Sequence, residues 1–169
     1  MNQNAKTKIK ILINSVLFCI LSFLVMIVFV PKILGYDTYY IQSDSMSPSI
    51  SKGSLAFAKE VEFKNISTGD VLTFSDGDGK KFFTHRVVEI DAANQMLTTK
   101  GDANDEQDPS PTSYYFVVGK VDFAIPLIGY AAKFINSTAG KIIIAAVYIA
   151  WAAVEIELYI MKRKAYQED

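Results

Sequence analysis

The run Phe82-Phe83-Thr84-His85-Arg86-Val87-Val88 reads as a β-strand, because aromatic and β-branched residues dominate it and neither glycine nor proline interrupts it. It sets the character of the middle of the chain. Similar short runs lie at 38–42, 54–61, 70–75, 95–100 and 114–121, and the quoted run itself extends over 82–90. Between them stand Ser51-Lys52-Gly53, Ser67-Thr68-Gly69, Asp76-Gly77-Asp78-Gly79, Ala92-Ala93-Asn94 and the stretch 101–112, each able to end a strand by local turn chemistry. No helical periodicity appears among them. The expectation is a mostly antiparallel β domain over 36–136, about 100 residues and so large enough to bury a core.

On either side the composition changes. Residues 11–30 are apolar except for Asn14, Ser15 and Ser22, and about 20 such residues suffice to cross a hydrocarbon core as a helix. The exit, Phe29-Val30-Pro31-Lys32, lacks the Ala-x-Ala pattern of a cleaved leader, so the segment reads as a retained anchor. A second span is expected over 142–161, interrupted by Glu155 and Glu157. Carboxylates inside a membrane are functional candidates, but a start near Phe134 places both at the far interface, reaching headgroups beside Tyr159. Lys6, Lys8 and Lys10 precede the first span and Lys162, Arg163 and Lys164 follow the second, whereas Lys32, Lys133 and Lys141 are sparser. The positive-inside bias then puts both termini in the cytoplasm and the β domain outside the cell or in the lumen. The expected organisation is an anchor with its cytoplasmic end over 1–35, the β domain over 36–136, and a second membrane helix with a basic tail over 137–169.

A formal net charge of −1 with no basic face excludes a nucleic-acid partner. One cysteine, Cys19, excludes an internal disulfide. One histidine, His85, leaves a single candidate for imidazole chemistry. Beyond the first span comes Gln42-Ser43-Asp44-Ser45-Met46-Ser47-Pro48, rich in hydroxyls. Alone it is a polar turn; it becomes chemistry only where a base takes a serine's proton. His85 is placed rigidly enough to act as that base, or to be a hydrogen-bonded core residue. Downstream, Thr98-Thr99-Lys100-Gly101-Asp102-Ala103-Asn104-Asp105-Glu106-Gln107-Asp108-Pro109 is a carboxylate-rich loop leaving a strand. It reads either as a solvated acidic turn or as the source of a group that orients an imidazole. A calcium loop would close on a bidentate glutamate, which is missing here, and no metal or cofactor is expected.

Taken together, Ser43-Asp44-Ser45-Met46-Ser47-Pro48, His85-Arg86 and Gly101-Asp102-x-Asn104 with Asp108 resemble the signal peptidase I family. The branch most alike is the endoplasmic-reticulum, archaeal and sporulating-bacterial one, where histidine replaces the lysine that ordinary bacterial enzymes carry before the arginine. The likeness runs from Thr38 to Gly129 and takes in Gly69-Asp70-Val71 and Gly119-Lys120-Val121. It implies an antiparallel β catalytic domain flanked by N- and C-terminal transmembrane helices. It also implies Ser45 as nucleophile, His85 as general base, Asp108 as orienter of the ring, and Asp102 as support for the loop or site. The oxyanion donors would be the Ser45 N–H and the Ser43 hydroxyl. Asp44 and Ser47 depart from the family pattern, which favours glycine and an acidic residue there. Met46 and Pro48 read as packing and turn-fixing residues.

The activity so implied is a membrane-bound serine endopeptidase removing signal peptides from exported pre-proteins. It would cut after small residues near the bilayer, because Ser45 follows Val30 by a linker too short to reach far. Its partners would be secretory pre-proteins and the lipid bilayer, in a cell membrane or the endoplasmic reticulum. Other readings compete: a non-catalytic anchored β module that binds exported chains or scaffolds a complex, a serine-lysine dyad using Lys81 or Lys100, and a self-cleaving repressor of serine-lysine type, which would need a DNA-binding segment in place of the 11–30 span.

Overall fold

The computed structural model describes the backbone of residues 3–165, with side chains from residue 8 onward except 24, 25, 27, 28, 161, 162, 164 and 165. The expected basic clusters therefore lie partly outside the described residues, which exclude the side chains of Lys6, Lys162 and Lys164. The chain divides into two units, 1–28 with 134–169 and 29–133.

Helix α1, Gln3–Ile33, ends because Gly35 adopts a left-handed φ of 78°. That lets Gly35 N–H and Tyr36 N–H donate to the Lys32 and Pro31 carbonyls at 3.1 and 2.8 Å, closing the last turn. Seven strands follow: β1 (Asp37–Tyr40), β2 (Leu55–Lys59), β3 (Val71–Ser75), β4 (Phe82–Asp91), β5 (Met96–Lys100), β6 (Thr112–Ser113) and β7 (Val117–Ile125). They form one sheet in the order β1-β2-β7-β3-β4-β5-β6, every pairing antiparallel. The mostly antiparallel β region is thus present as expected.

Its apolar contacts fall into clusters. Leu72, Phe74, Val87 and Leu97 of strands β3 to β5 form one, with Ile66 from the connection before β3. Ile41, Met46, Ile50 and Ala56 form another, beside the hydroxyl-rich turn. On β4 Thr84 is buried on one face, where its hydroxyl pairs with that of Thr73 on β3 at 2.9 Å, and Val87 on the other, while His85 is only partly covered.

Three details differ from the sequence expectation. Tyr114–Phe116 forms a 3-10 turn, and the last strand begins only at Val117. The Ser113 hydroxyl accepts from the Tyr115 N–H at 3.3 Å, and such local capping competes with strand pairing despite aromatic β-propensity. Thr112, the last residue of the stretch read as a turn, pairs with Leu97, and Ser113 after it pairs with Met96. After β7 comes helix α2, Ile128–Asn136, inside the range expected as a β domain, although no strand was assigned to it; Ala132 and Ile128 pack it on Leu55 and Phe57.

In the other unit, α3 (Thr138–Ala165) follows. Among the described residues, Thr138–Ile160 is the one helical segment long and apolar enough to cross a membrane. Asn14 on α1 donates its amide to Glu155 on α3, and the Phe18 ring stacks on Trp151 at 5.3 Å. Four residues forward on one helix correspond to four backward on the other, so the two run antiparallel here. Glu155 accepts a hydrogen bond from Asn14, which is only 6% exposed. Glu155 and Glu157 are both exposed within this unit.

Candidate active site

The 44–50 turn is held from below. Met46 is 1% exposed and sits with Ile50 among Ile41 and Ala56, while Ile50 N–H donates to the Met46 carbonyl at 2.8 Å. Burying Met46 leaves its neighbour Ser45 at the surface of the turn, partly exposed. The Ser45 and Ser43 hydroxyls lie 3.1 Å apart. The Ser47-Pro48 bond is cis.

The acidic loop is tied to the same turn: Ala103 N–H donates to the Ser45 carbonyl at 2.8 Å. Gly101 allows that approach, because a Cβ there would stand 2.7 Å from the Ser45 carbonyl oxygen. The two boxes therefore meet through main chain, and glycine is required by space.

His85 projects from β4 next to these loops. Its Nδ1 lies 2.6 Å from Asp108 Oδ2, and its ring meets Phe83 edge-on at 5.7 Å. Phe83 in turn stacks on the buried Phe74 at 4.9 Å. The Asp108 carboxylate also accepts from the Thr99 hydroxyl at 2.5 Å, and Asp108 N–H donates to the Thr99 carbonyl at 2.8 Å. Thr99 was quoted at the head of the acidic loop but given no role, since a threonine in a strand carries no signal beyond β-propensity.

Asp102 goes elsewhere. Arg86 Nε donates to its Oδ1 at 2.8 Å and Nη2 to its Oδ2 at 2.6 Å, a two-pronged fork, while Nη1 donates to the Gly69 carbonyl at 2.7 Å. Arg86 foremost holds the Asp102 carboxyl below the usual carboxylate range. Burial opposes this, and the Ser49 hydroxyl adds to it. The same fork raises the Arg86 guanidinium further. So of the two carboxylates read from sequence, Asp108 meets the imidazole and Asp102 braces the loop against β4.

A cleft of about 350 Å³ is lined by Tyr39, Gln42, Ser43, Ser45, Phe82, His85 and Asn104, among others. It brings Ser45 and His85 into one space, although no hydrogen bond joins them among the described residues. Neither lysine of the alternative dyad lines it: Lys100 donates to the Asp105 carbonyl at 3.0 Å, and Lys81 lies exposed at the start of β4. Chemically, an imidazole bound at Nδ1 by a carboxylate keeps Nε2 free to accept a proton.

No family model matches the chain. It is similar to signal peptidase I W of Bacillus subtilis (strain 168), 38% identical over 86 residues that make up 49% of this chain and 45% of that protein. The match spans less than half of that relative's length. The resemblance to the signal peptidase I family, read above from three sequence boxes, thus has a curated relative behind it.

Proposed function

We propose that the chain is a membrane-bound serine endopeptidase of the Ser-His-Asp type that removes signal peptides from exported pre-proteins. The observation that carries this reading is the cleft shared by Ser45 and His85, with Asp108 on the far nitrogen of the ring. The similarity to a signal peptidase supports the substrate class.

In this reading Ser45 Oγ attacks the scissile carbonyl carbon while His85 Nε2 takes its proton. The tetrahedral oxyanion is met by the Ser45 N–H and the Ser43 hydroxyl. The C–N bond then breaks as the imidazolium returns the proton to the leaving amine, and water repeats the cycle on the acyl-enzyme. Asp108 keeps the Nδ1–H tautomer and faces the imidazolium when it forms. In the unliganded state the Ser45 hydroxyl pairs with Ser43, so substrate binding has to hand it to Nε2, a tightening common in unliganded sites.

The membrane assignment draws on the exposed apolar surface of α1, which includes Leu12, Ile13, Ile20 and Phe23, and on the apolar α3. An antiparallel pair of spanning helices puts both chain ends on one side, the cytoplasmic one by the charge bias.

The test is full-length protein in detergent incubated with a pre-protein, the product identified by its new N-terminal sequence. Ser45→Ala and His85→Ala are each expected to abolish cleavage while the protein still accumulates. Near-normal cleavage by His85→Ala would refute the histidine mechanism, and binding of the pre-protein without cleavage by wild type would favour a non-catalytic module.

A further inference from the structure

We propose that Thr99 is a positioning residue for this reaction: its hydroxyl fixes the Asp108 carboxylate so that the His85 ring is held with Nε2 toward the cleft. The inference rests on the reading of His85 as the base.

Thr99 lies near the C-terminal end of β5, paired with Val87 of β4, and is 0% exposed. A hydroxyl there has no water to turn to, so it costs stability unless it finds an acceptor. A valine would fill the same strand site without that demand. The acceptor it finds is Asp108 Oδ2 at 2.5 Å, the same oxygen that lies 2.6 Å from His85 Nδ1. Two donors on one oxygen leave that carboxylate little freedom to turn away from the ring.

The main chain contributes separately. Asp108 N–H donates to the Thr99 carbonyl at 2.8 Å, which brings the end of the acidic loop to β5 whatever the side chain at 99. The hydroxyl then decides the orientation of the carboxyl group within a loop already placed. Removing the hydroxyl alone should therefore leave the loop docked and loosen only the Asp108–His85 contact. Thr99 itself is absent from the cleft lining, so it acts on substrate through Asp108 and His85.

Thr99→Val keeps shape and β-branching while deleting the donor, and Thr99→Ser keeps the donor. Both are made in the full chain in detergent micelles. Loss of one hydrogen bond to a charged group is expected to lower kcat about 10- to 100-fold in Thr99→Val, with KM within about twofold. Thr99→Ser should recover most of it. Because His85 is the chain's single histidine, imidazole ¹⁵N labelling reports one ring. Its Nδ1–H signal should shift and exchange faster in Thr99→Val and return in Thr99→Ser. An unmoved Nδ1 signal, an unchanged kcat, or a serine variant no better than valine would overturn the proposal. If wild type does not cleave at all, the function reading fails by itself, and the Nδ1 signal still decides whether Thr99 governs the Asp108–His85 contact.

Discussion

Asp102→Asn removes one charge from the fork that ties the acidic loop to β4. Two charge-assisted bonds at 2.8 and 2.6 Å are lost or weakened, and breaking a buried pair of this kind costs about 3–5 kcal/mol. Solvent reduces that figure here, because the Arg86 side chain is 34% exposed against 13% for Asp102, and Arg86 keeps its bond to the Gly69 carbonyl. An effect of about 1–2 kcal/mol remains, or about 5–10 °C in Tm for a unit of roughly a hundred residues. The pH dependence follows from the lowered Asp102 carboxyl. Its contribution is complete above the ordinary carboxylate pKa near ~4 and is lost as pH falls from there through the lower folded value, because the unfolded chain takes up the proton first. Asparagine has no such titration, so the gap between the two proteins should narrow in acid. The assay is thermal unfolding of the full chain in detergent, followed by tyrosine near-UV circular dichroism. The single tryptophan, Trp151, sits in α3 and would report the other unit. Equal stability at pH 7, or a gap that persists undiminished to pH 3, would refute the reasoning.

Gly101→Ala introduces a Cβ 2.7 Å from the Ser45 carbonyl oxygen. It should cost about 1–3 kcal/mol as an overpacked contact and lower cleavage by displacing the serine turn; wild-type stability with full activity would show that the loop yields freely. Cysteines in place of Phe18 and Trp151, on a Cys19→Ser background, should be joined by a short bismaleimide within one molecule. Absence of that product, with both thiols still reactive, would rule out the antiparallel helix pair.

The β character of the middle of the chain was legible because alternating aromatic and β-branched residues need only their neighbours to choose an extended backbone, as in 82–90. Ends of elements were less so: Tyr114–Phe116 has strand-like residues but is taken by the Ser113 cap, and α2, which packs Ile128 and Ala132 at helical spacing on β2, is too short for periodicity alone to assign. Ser45, His85, Asp102 and Asp108 were legible as chemical types in a recognisable order, and the resemblance implied Asp108 beside the ring with Asp102 in support, but not the contacts that each makes.

Those contacts were decided by tertiary structure, since hydrogen-bond partners across 9 to 23 residues depend on which strands meet and in what register. His85 and Arg86 are adjacent on β4 and so project to opposite faces, one receiving Asp108 and the other Asp102. Sequence alone thus supplied the reactive groups and the β framework. The Arg86 fork on Asp102, the engagement of Thr99 and the pairing of Glu155 with Asn14 required the chain to fold, because each depends on distances that local order does not set.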